Sequence, residues 1–295
     1  MGCALGGLSL SSRTGFTGAS PESGGLGPRT AAYSAAMHGG TEVRVVEKMG
    51  VSVHPDSGAL GRAAAAMAAE TLRQAVSDRG VAHAMFATGN SQLEFVDALV
   101  HGTTDVPWSD VVVFHMDEYV GVGPDHPAGF QRWIRERIVE QVEPRTAHYL
   151  DGLADPPVEC DRYSELLRTH LLDLCCLGIG ENGHLAFNDP PVADFEDPRA
   201  VKVVELEVAC RQQQVNEGHF AAIGDVPAEA VTVTIPSLLR ATRVLAIVPE
   251  ARKAGPVRAA LLGPLSTACP ASFLRTQPQV ALHLDPGSAG GLGWV

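Results

Sequence analysis

Three short stretches of this sequence hold residue types that move protons or grip anions. Asp117-Glu118 closes the apolar run Val111-Val112-Val113-Phe114. Adjacent residues of an extended chain point to opposite sides, so one carboxylate can face a crevice while the other makes structural hydrogen bonds. A carboxylate in a partly desolvated crevice has its pKa raised toward the range useful to a general base. His184 follows two glycine turns in Gly178-Ile179-Gly180-Glu181-Asn182-Gly183-His184, and Asp189 lies five residues beyond it, placed to orient the imidazole and stabilise its cation. Thr88-Gly89-Asn90-Ser91 leads into an apolar helical pattern. Free backbone N–H groups and the helix dipole favour an anion there, phosphate being the natural occupant. Lys253 enters the first turn of another helix, an electrostatically poor place for a cation unless an anion joins it. Each feature alone has an ordinary explanation as a capped turn, a surface histidine, an N-cap or a solvated lysine.

Their common position is the stronger argument. From about Thr41 onward, short β-branched runs alternate with longer amphipathic ones, the pattern of βα units. The spacing predicts strands at 43–46, 83–87, 111–115, 174–177, 231–235, 244–248 and 280–284, and helices at 61–77, 93–100, 130–142, 159–171 and 251–262. The fold class expected is α/β, an open, mostly parallel Rossmann-like sheet with helices on both faces. Ligands of such sheets bind beyond the carboxyl ends of the strands. Four predicted strands run into the polar segments beginning at Thr88, Met116, Gly178 and Pro249, which places all four on one edge. Gly178, Gly180 and Gly183 have dinucleotide-loop spacing, but two prolines follow soon after and no acidic residue closes a neighbouring strand at the expected offset, which argues against a dinucleotide.

Residues 1–40 hold ten Gly, six Ser and three charges, with no hydrophobic period, and are expected to be a disordered Gly/Ser-rich extension before a single domain at 41–295. The 22 Lys+Arg against 34 Asp+Glu, a net charge of −12, argue against nucleic acid or an anionic membrane as partner. Any bound anion must be held by local groups. No apolar stretch reaches the ~18–20 residues of a membrane span. The six cysteines show no CxxC pair and read as reduced core residues of a cytoplasmic protein, neither a disulfide framework nor a zinc site.

Three motifs, Thr88-Gly89-Asn90-Ser91, Met116-Asp117-Glu118-Tyr119-Val120-Gly121 with His126-Pro127, and Gly178 through Pro190, resemble the glucosamine-6-phosphate deaminase/isomerase family of the 6-phosphogluconolactonase-like superfamily. The resemblance runs over roughly 43–284. It implies a cofactor-free, metal-free hydrolase acting on a C–N bond, taking glucosamine 6-phosphate to fructose 6-phosphate and ammonia within amino-sugar (N-acetylglucosamine) catabolism. Carried over by motif position, Asp117 is the base between C2 and C1, and His184 opens the ring with Asp189 assisting. Thr88, Gly89, Asn90, Ser91, Lys253 and Arg211, the last in Cys210-Arg211-Gln212-Gln213-Gln214 on a lid, hold the phosphate. Two positions depart from part of the family, which carries Asp at Asn182 and Glu at Asp189; Asn182 is retained in the candidate catalytic set. The partner expected is a small sugar phosphate, with monomer and homo-oligomer both open. The alternatives are a 6-phosphogluconolactonase, disfavoured by Ala186-Phe187-Asn188-Asp189 after the histidine, and a non-catalytic sugar-phosphate sensor, disfavoured by the joint presence of Asp117 and His184.

Overall fold

The computed structural model describes residues 36–38, 40–103 and 105–294. Most of the expected extension at 1–40 therefore lies outside the described residues, but its end does not. Residues 36–38 form a strand, so regular structure begins before the boundary expected at 41. In chain order the elements are β1 (Ala36–His38), β2 (Thr41–Val46), β3 (Met49–Val53), α1 (Ser57–Arg79), β4 (Ala82–Phe86), α2 (Leu93–His101), β5 (Val111–His115), β6 (Asp117–Tyr119), α3 (Phe130–Ile134), α4 (Glu140–Val142), β7 (Thr146–His148), α5 (Pro156–Thr169), β8 (Leu174–Leu177), β9 (Val201–Glu205), α6 (Val208–Asn216), β10 (Glu229–Val233), α7 (Ile235–Leu238), β11 (Arg243–Val248), α8 (Ala254–Leu262), β12 (Val280–Leu284) and α9 (Pro286–Ala289). A π-helical turn, Arg135–Val139, joins α3 to α4, so the helix expected at 130–142 is one continuous rod.

Among the described residues the main sheet has nine strands in the order β1-β2-β3-β12-β11-β8-β4-β5-β7. From β3 to β7 every pairing is parallel, while β1, β2 and β3 are antiparallel. Central strands of a parallel sheet covered on both faces must be apolar throughout, and β5 and β8 are buried at every position. One apolar cluster, with Phe114, Tyr163, Cys175 and Val244, fills one face. The other face packs on the alanine-rich side of α1. There a Cβ on Gly61 would stand 2.8 Å from the Glu94 carbonyl, so the absent side chain lets α1 and α2 approach. Asp56 caps α1 by accepting the Ala59 amide, and Gly80 closes it in the left-handed conformation at φ 73°.

A second sheet, β6-β10-β9, is antiparallel. The strand expected at 231–235 belongs to it, beginning at Glu229, and β6 lies within a stretch the sequence presented as a loop. This sheet stands over the carboxyl ends of the main strands and carries Asp117 in register with Thr232. Strand order changes direction between β4 and β8: from β4 the chain moves outward to β5 and β7, and from β8 it moves the other way to β11 and β12. The loops after β4 and β8 therefore diverge and leave a crevice.

Candidate active site

A cleft opens at this switch point. Its walls include Thr88, Gly89, Asn90, Ser91, Asp117, His184 and Lys253, so seven of the ten residues singled out from sequence meet in one place.

The carboxylate pair divides as the alternation argument requires. Asp117 faces the cleft and is 7% exposed. Burial, seconded by the neighbouring Glu118, pushes its carboxyl well above the usual aspartate range. Glu118 turns away: Oε1 accepts the amides of Tyr119 at 2.9 Å and Phe130 at 3.2 Å, and Oε2 accepts that of Gln131 at 2.7 Å. It thus holds the first turn of α3. Burial raises its pKa to about 7 against the opposing pull of those three donors.

His184 is fixed from several sides. Its Nδ1 lies 2.8 Å from Asp189 Oδ1. A carboxylate can only accept, so Nδ1 carries the proton and Nε2 keeps its lone pair. Burial opposes ionisation of Asp189, but the bonds from His184 and Asn182 hold its pKa below the ordinary value. The imidazole lies over Gly180, where a Cβ would come within 2.2 Å of Nε2. Asn182 and Asp189 do not line the cleft; they stand behind the histidine. Asn182 Oδ1 accepts the His184 amide at 3.1 Å, and its Nδ2 donates to Asp189 at 2.9 Å and to Glu207 Oε2 at 2.7 Å. An amide suits this place because an aspartate would add a third carboxylate to Asp189 and Glu207. The loop returns through Ala186 at φ 50°, a left-handed conformation that costs a non-glycine residue of the order of 1–3 kcal/mol. Thr232 Oγ1, in register with Asp117, accepts the Phe187 amide at 3.1 Å and so ties the base's sheet to the histidine's loop.

At the other end, the turn Thr88–Ser91 passes through Gly89 at φ 99° into the start of α2. Gln92 locks it by donating to Ser91 Oγ at 3.0 Å and to the Ile247 carbonyl at 3.2 Å. Lys253 is 3% exposed, and its ammonium makes no hydrogen bond or ion pair with any described residue. Burial, with Arg252 beside it, lowers its pKa. A buried cation facing a ring of free donors is an anion receptor.

Arg211 is the correction. The cleft wall excludes it: its Nη2 donates to the carbonyls of Ile223 at 2.7 Å and Val226 at 2.9 Å, bracing the turn after α6. Two and three residues further round the helix, Gln213 and Gln214 face the cleft instead, with Glu217 and His219 beyond them. Trp133 completes the wall. Sequence reasoning missed these five residues; the available signal was the glutamine run after Arg211. Gln213 Oε1 accepts the Glu181 amide at 3.2 Å, and Arg252 joins Glu217 at 2.6 Å to Glu181 at 3.1 Å, so α6 is fastened to the rims of the cleft.

An acid–base pair thus faces an anion receptor across a parallel-sheet switch point, where open α/β sheets bind their ligands. Comparison with known proteins gives the family. The family model for glucosamine-6-phosphate isomerases/6-phosphogluconolactonase matches residues 55–282. A glucosamine-6-phosphate deaminase of Exiguobacterium sibiricum is 33% identical over 204 residues, covering 69% of this chain and 78% of the relative. One from Arthrobacter sp. is 32% identical over 250 residues, covering 83% and 93%. Among solved structures, a monomeric glucosamine-6-phosphate deaminase superposes with TM-score 0.75 at 28% identity over 82% of this chain and 99% of its own. A 6-phosphogluconolactonase from Shewanella baltica shares the fold, with TM-score 0.65 at 20% identity, over 82% and 97%. The chain belongs to the glucosamine-6-phosphate isomerase/6-phosphogluconolactonase family.

Proposed function

We propose that this protein is a glucosamine-6-phosphate deaminase, converting glucosamine 6-phosphate and water to fructose 6-phosphate and ammonia without a cofactor. The observation that carries the reading is one cleft holding a buried, basic Asp117, an imidazole oriented by Asp189 and a partnerless buried lysine. Thr88–Ser91 and Lys253 grip the phosphate. His184 Nε2 takes the proton of the anomeric hydroxyl and returns it to the ring oxygen, with Asp189 stabilising the imidazolium between the two transfers. Asp117 then removes the proton from C2 and delivers it to C1 through an enolamine. Water adds to the resulting C2 imine and ammonia leaves, which balances the reaction. An ordinary aspartate, with pKa about 3.9, is a weak base for a carbon acid; burial strengthens it.

The relatives named as glucosamine-6-phosphate deaminases support the substrate. Lactone hydrolysis, by contrast, needs no base at a carbon acid and would leave Asp117 without a task. All the side chains invoked come from one chain, so a homo-oligomer would be an assembly of complete sites. A role in amino-sugar catabolism in the cytoplasm goes with this reading: the thiols of Cys160, Cys175, Cys176, Cys210 and Cys269 are unpaired, as in a reducing compartment. Among the described residues no helix is long and apolar enough to cross a membrane. The test is ammonia release from glucosamine 6-phosphate beside a 6-phosphogluconolactone assay. Ammonia and fructose 6-phosphate in equal amounts are expected; lactone hydrolysis with no ammonia overturns the reading.

A further inference from the structure

The reaction proposed above leaves one group beside the catalytic histidine unused. Cys210, on α6, is 1% exposed, and its thiol sits against the Asp189 carboxylate. Ligand atoms of Cys210, His184 and Asp189 all lie within 4.8 Å of one another. Asp189 Oδ1 is occupied by His184 and Asn182, while Oδ2, in a residue only 1% exposed, meets no nitrogen or oxygen donor; the group left beside the carboxylate is the Cys210 thiol itself. A thiol, an imidazole nitrogen and a spare carboxylate oxygen form a ligand set suited to a borderline-soft divalent cation such as zinc. Tetrahedral coordination at about 2.0–2.3 Å puts such ligands roughly 3.3–3.6 Å apart, so the triad has to tighten by about 1 Å. Of the three, His184 lines the cleft, with 13% of its side chain exposed.

The geometry points to an inhibitory zinc site formed by Cys210 Sγ, His184 Nδ1 and Asp189 Oδ2. On binding, the Nδ1 proton moves to Nε2, the Cys210 thiol releases one proton to solvent, and Asp189 coordinates as the carboxylate it already is. No redox change is involved. The imidazole then presents N–H to the cleft where it presented a lone pair, and it can no longer accept the anomeric proton. That inhibitory consequence rests on the function proposed for His184; binding of the ion does not. The cysteine spacing shows no metal pattern because the ligands come from two segments that only the fold brings together.

Cobalt(II) titration of the whole protein tests the site without reference to activity. One equivalent is expected to raise a thiolate-to-cobalt charge-transfer band that disappears in Cys210→Ser and persists in Cys269→Ser, the other cysteine close to the histidine loop. On the zinc-loaded wild type, X-ray absorption needs no variant and is expected to show one sulfur at about 2.3 Å with nitrogen and oxygen at about 2.0–2.2 Å. The half-inhibitory zinc concentration for deamination should rise by about tenfold or more in Cys210→Ser. No cobalt band in the wild type, a band retained in Cys210→Ser, or a sulfur-free zinc shell overturns the site. A Cys210-dependent band in a protein that releases no ammonia would uphold the site and overturn the proposed reaction.

Discussion

His184 is held by its own backbone, by Asp189, through Asn182 by Glu207, and by the flat surface of Gly180 beneath it. Asp117 and Lys253, in the same cleft, are more deeply buried, yet their charged ends make no hydrogen bond or ion pair with any described residue. The difference follows the task of each group. An imidazole that passes a proton between two oxygens must have its tautomer and tilt set before the sugar arrives. A base for a C–H bond gains strength from desolvation, which a permanent donor would cancel. A phosphate ligand left without a partner keeps its interaction for the phosphate. Orientation comes from hydrogen bonds, and reactivity from withholding them.

The contrast can be broken at its most reactive point with Asp117→Asn. Turnover is expected to fall by roughly 10²–10⁴ while binding of the sugar phosphate, read by protection against thermal unfolding, persists. Turnover within twofold of wild type would remove Asp117 from the mechanism. Gly180→Ala attacks orientation instead of reactivity: the new methyl occupies the place of Nε2, and kcat is expected to drop by about 10² with every titratable group still present. Normal kcat in a folded Gly180→Ala protein would show that the ring position is not critical. Lys253→Ala should raise KM by about tenfold or more and change kcat less, as expected for uniform binding; a fall in kcat at constant KM contradicts that role.

The smallest effect sharpens the contrast through pH. Asp117 works ionised, and its pKa is raised, so the acid limb of the kcat profile should lie above the ordinary aspartate range. Glu118 is the second cause of that rise, and Glu118→Gln removes its charge, which lowers the Asp117 pKa and moves the limb to lower pH. A limb that stays in place would leave burial alone responsible.

Much of the architecture was readable because β5, β8, β11 and β12 sit in the parallel interior, where both faces are buried and the runs are apolar but for His283 within β12 and His115 and Arg243 at strand ends. The β2–β3 hairpin was hidden because its turn, Glu47-Lys48, places a glutamate at φ 53° where a glycine or asparagine would have marked it. β9 was hidden by Lys202, which is 4% exposed and paired with Asp197 at 3.1 Å and the Val192 carbonyl at 2.6 Å. In the site, residues fixed by their position after a strand were legible: Asp117, His184, Thr88 and Lys253. The face of α6 was not. Helical period separates Arg211 from Gln213 and Gln214, but only tertiary packing decides which of them looks into the cleft, and the nearby carbonyls of Ile223 and Val226 draw the guanidinium away.

The small sheet has a bearing on how such a protein diversifies. α6 and the cleft residues that follow it lie in the connection between β9 and β10, whose antiparallel register is closed from Glu205↔Glu229 to Val201↔Val233. The register that holds Asp117 opposite Thr232 does not depend on the length of that connection. Chain can be inserted, deleted or exchanged between Glu205 and Glu229 while the strand pairing that carries the base remains as it is. The sheet thus frees the base from the wall that closes over it, whereas the histidine stays tied to that wall, because Glu207, the partner of Asn182, lies in the same connection.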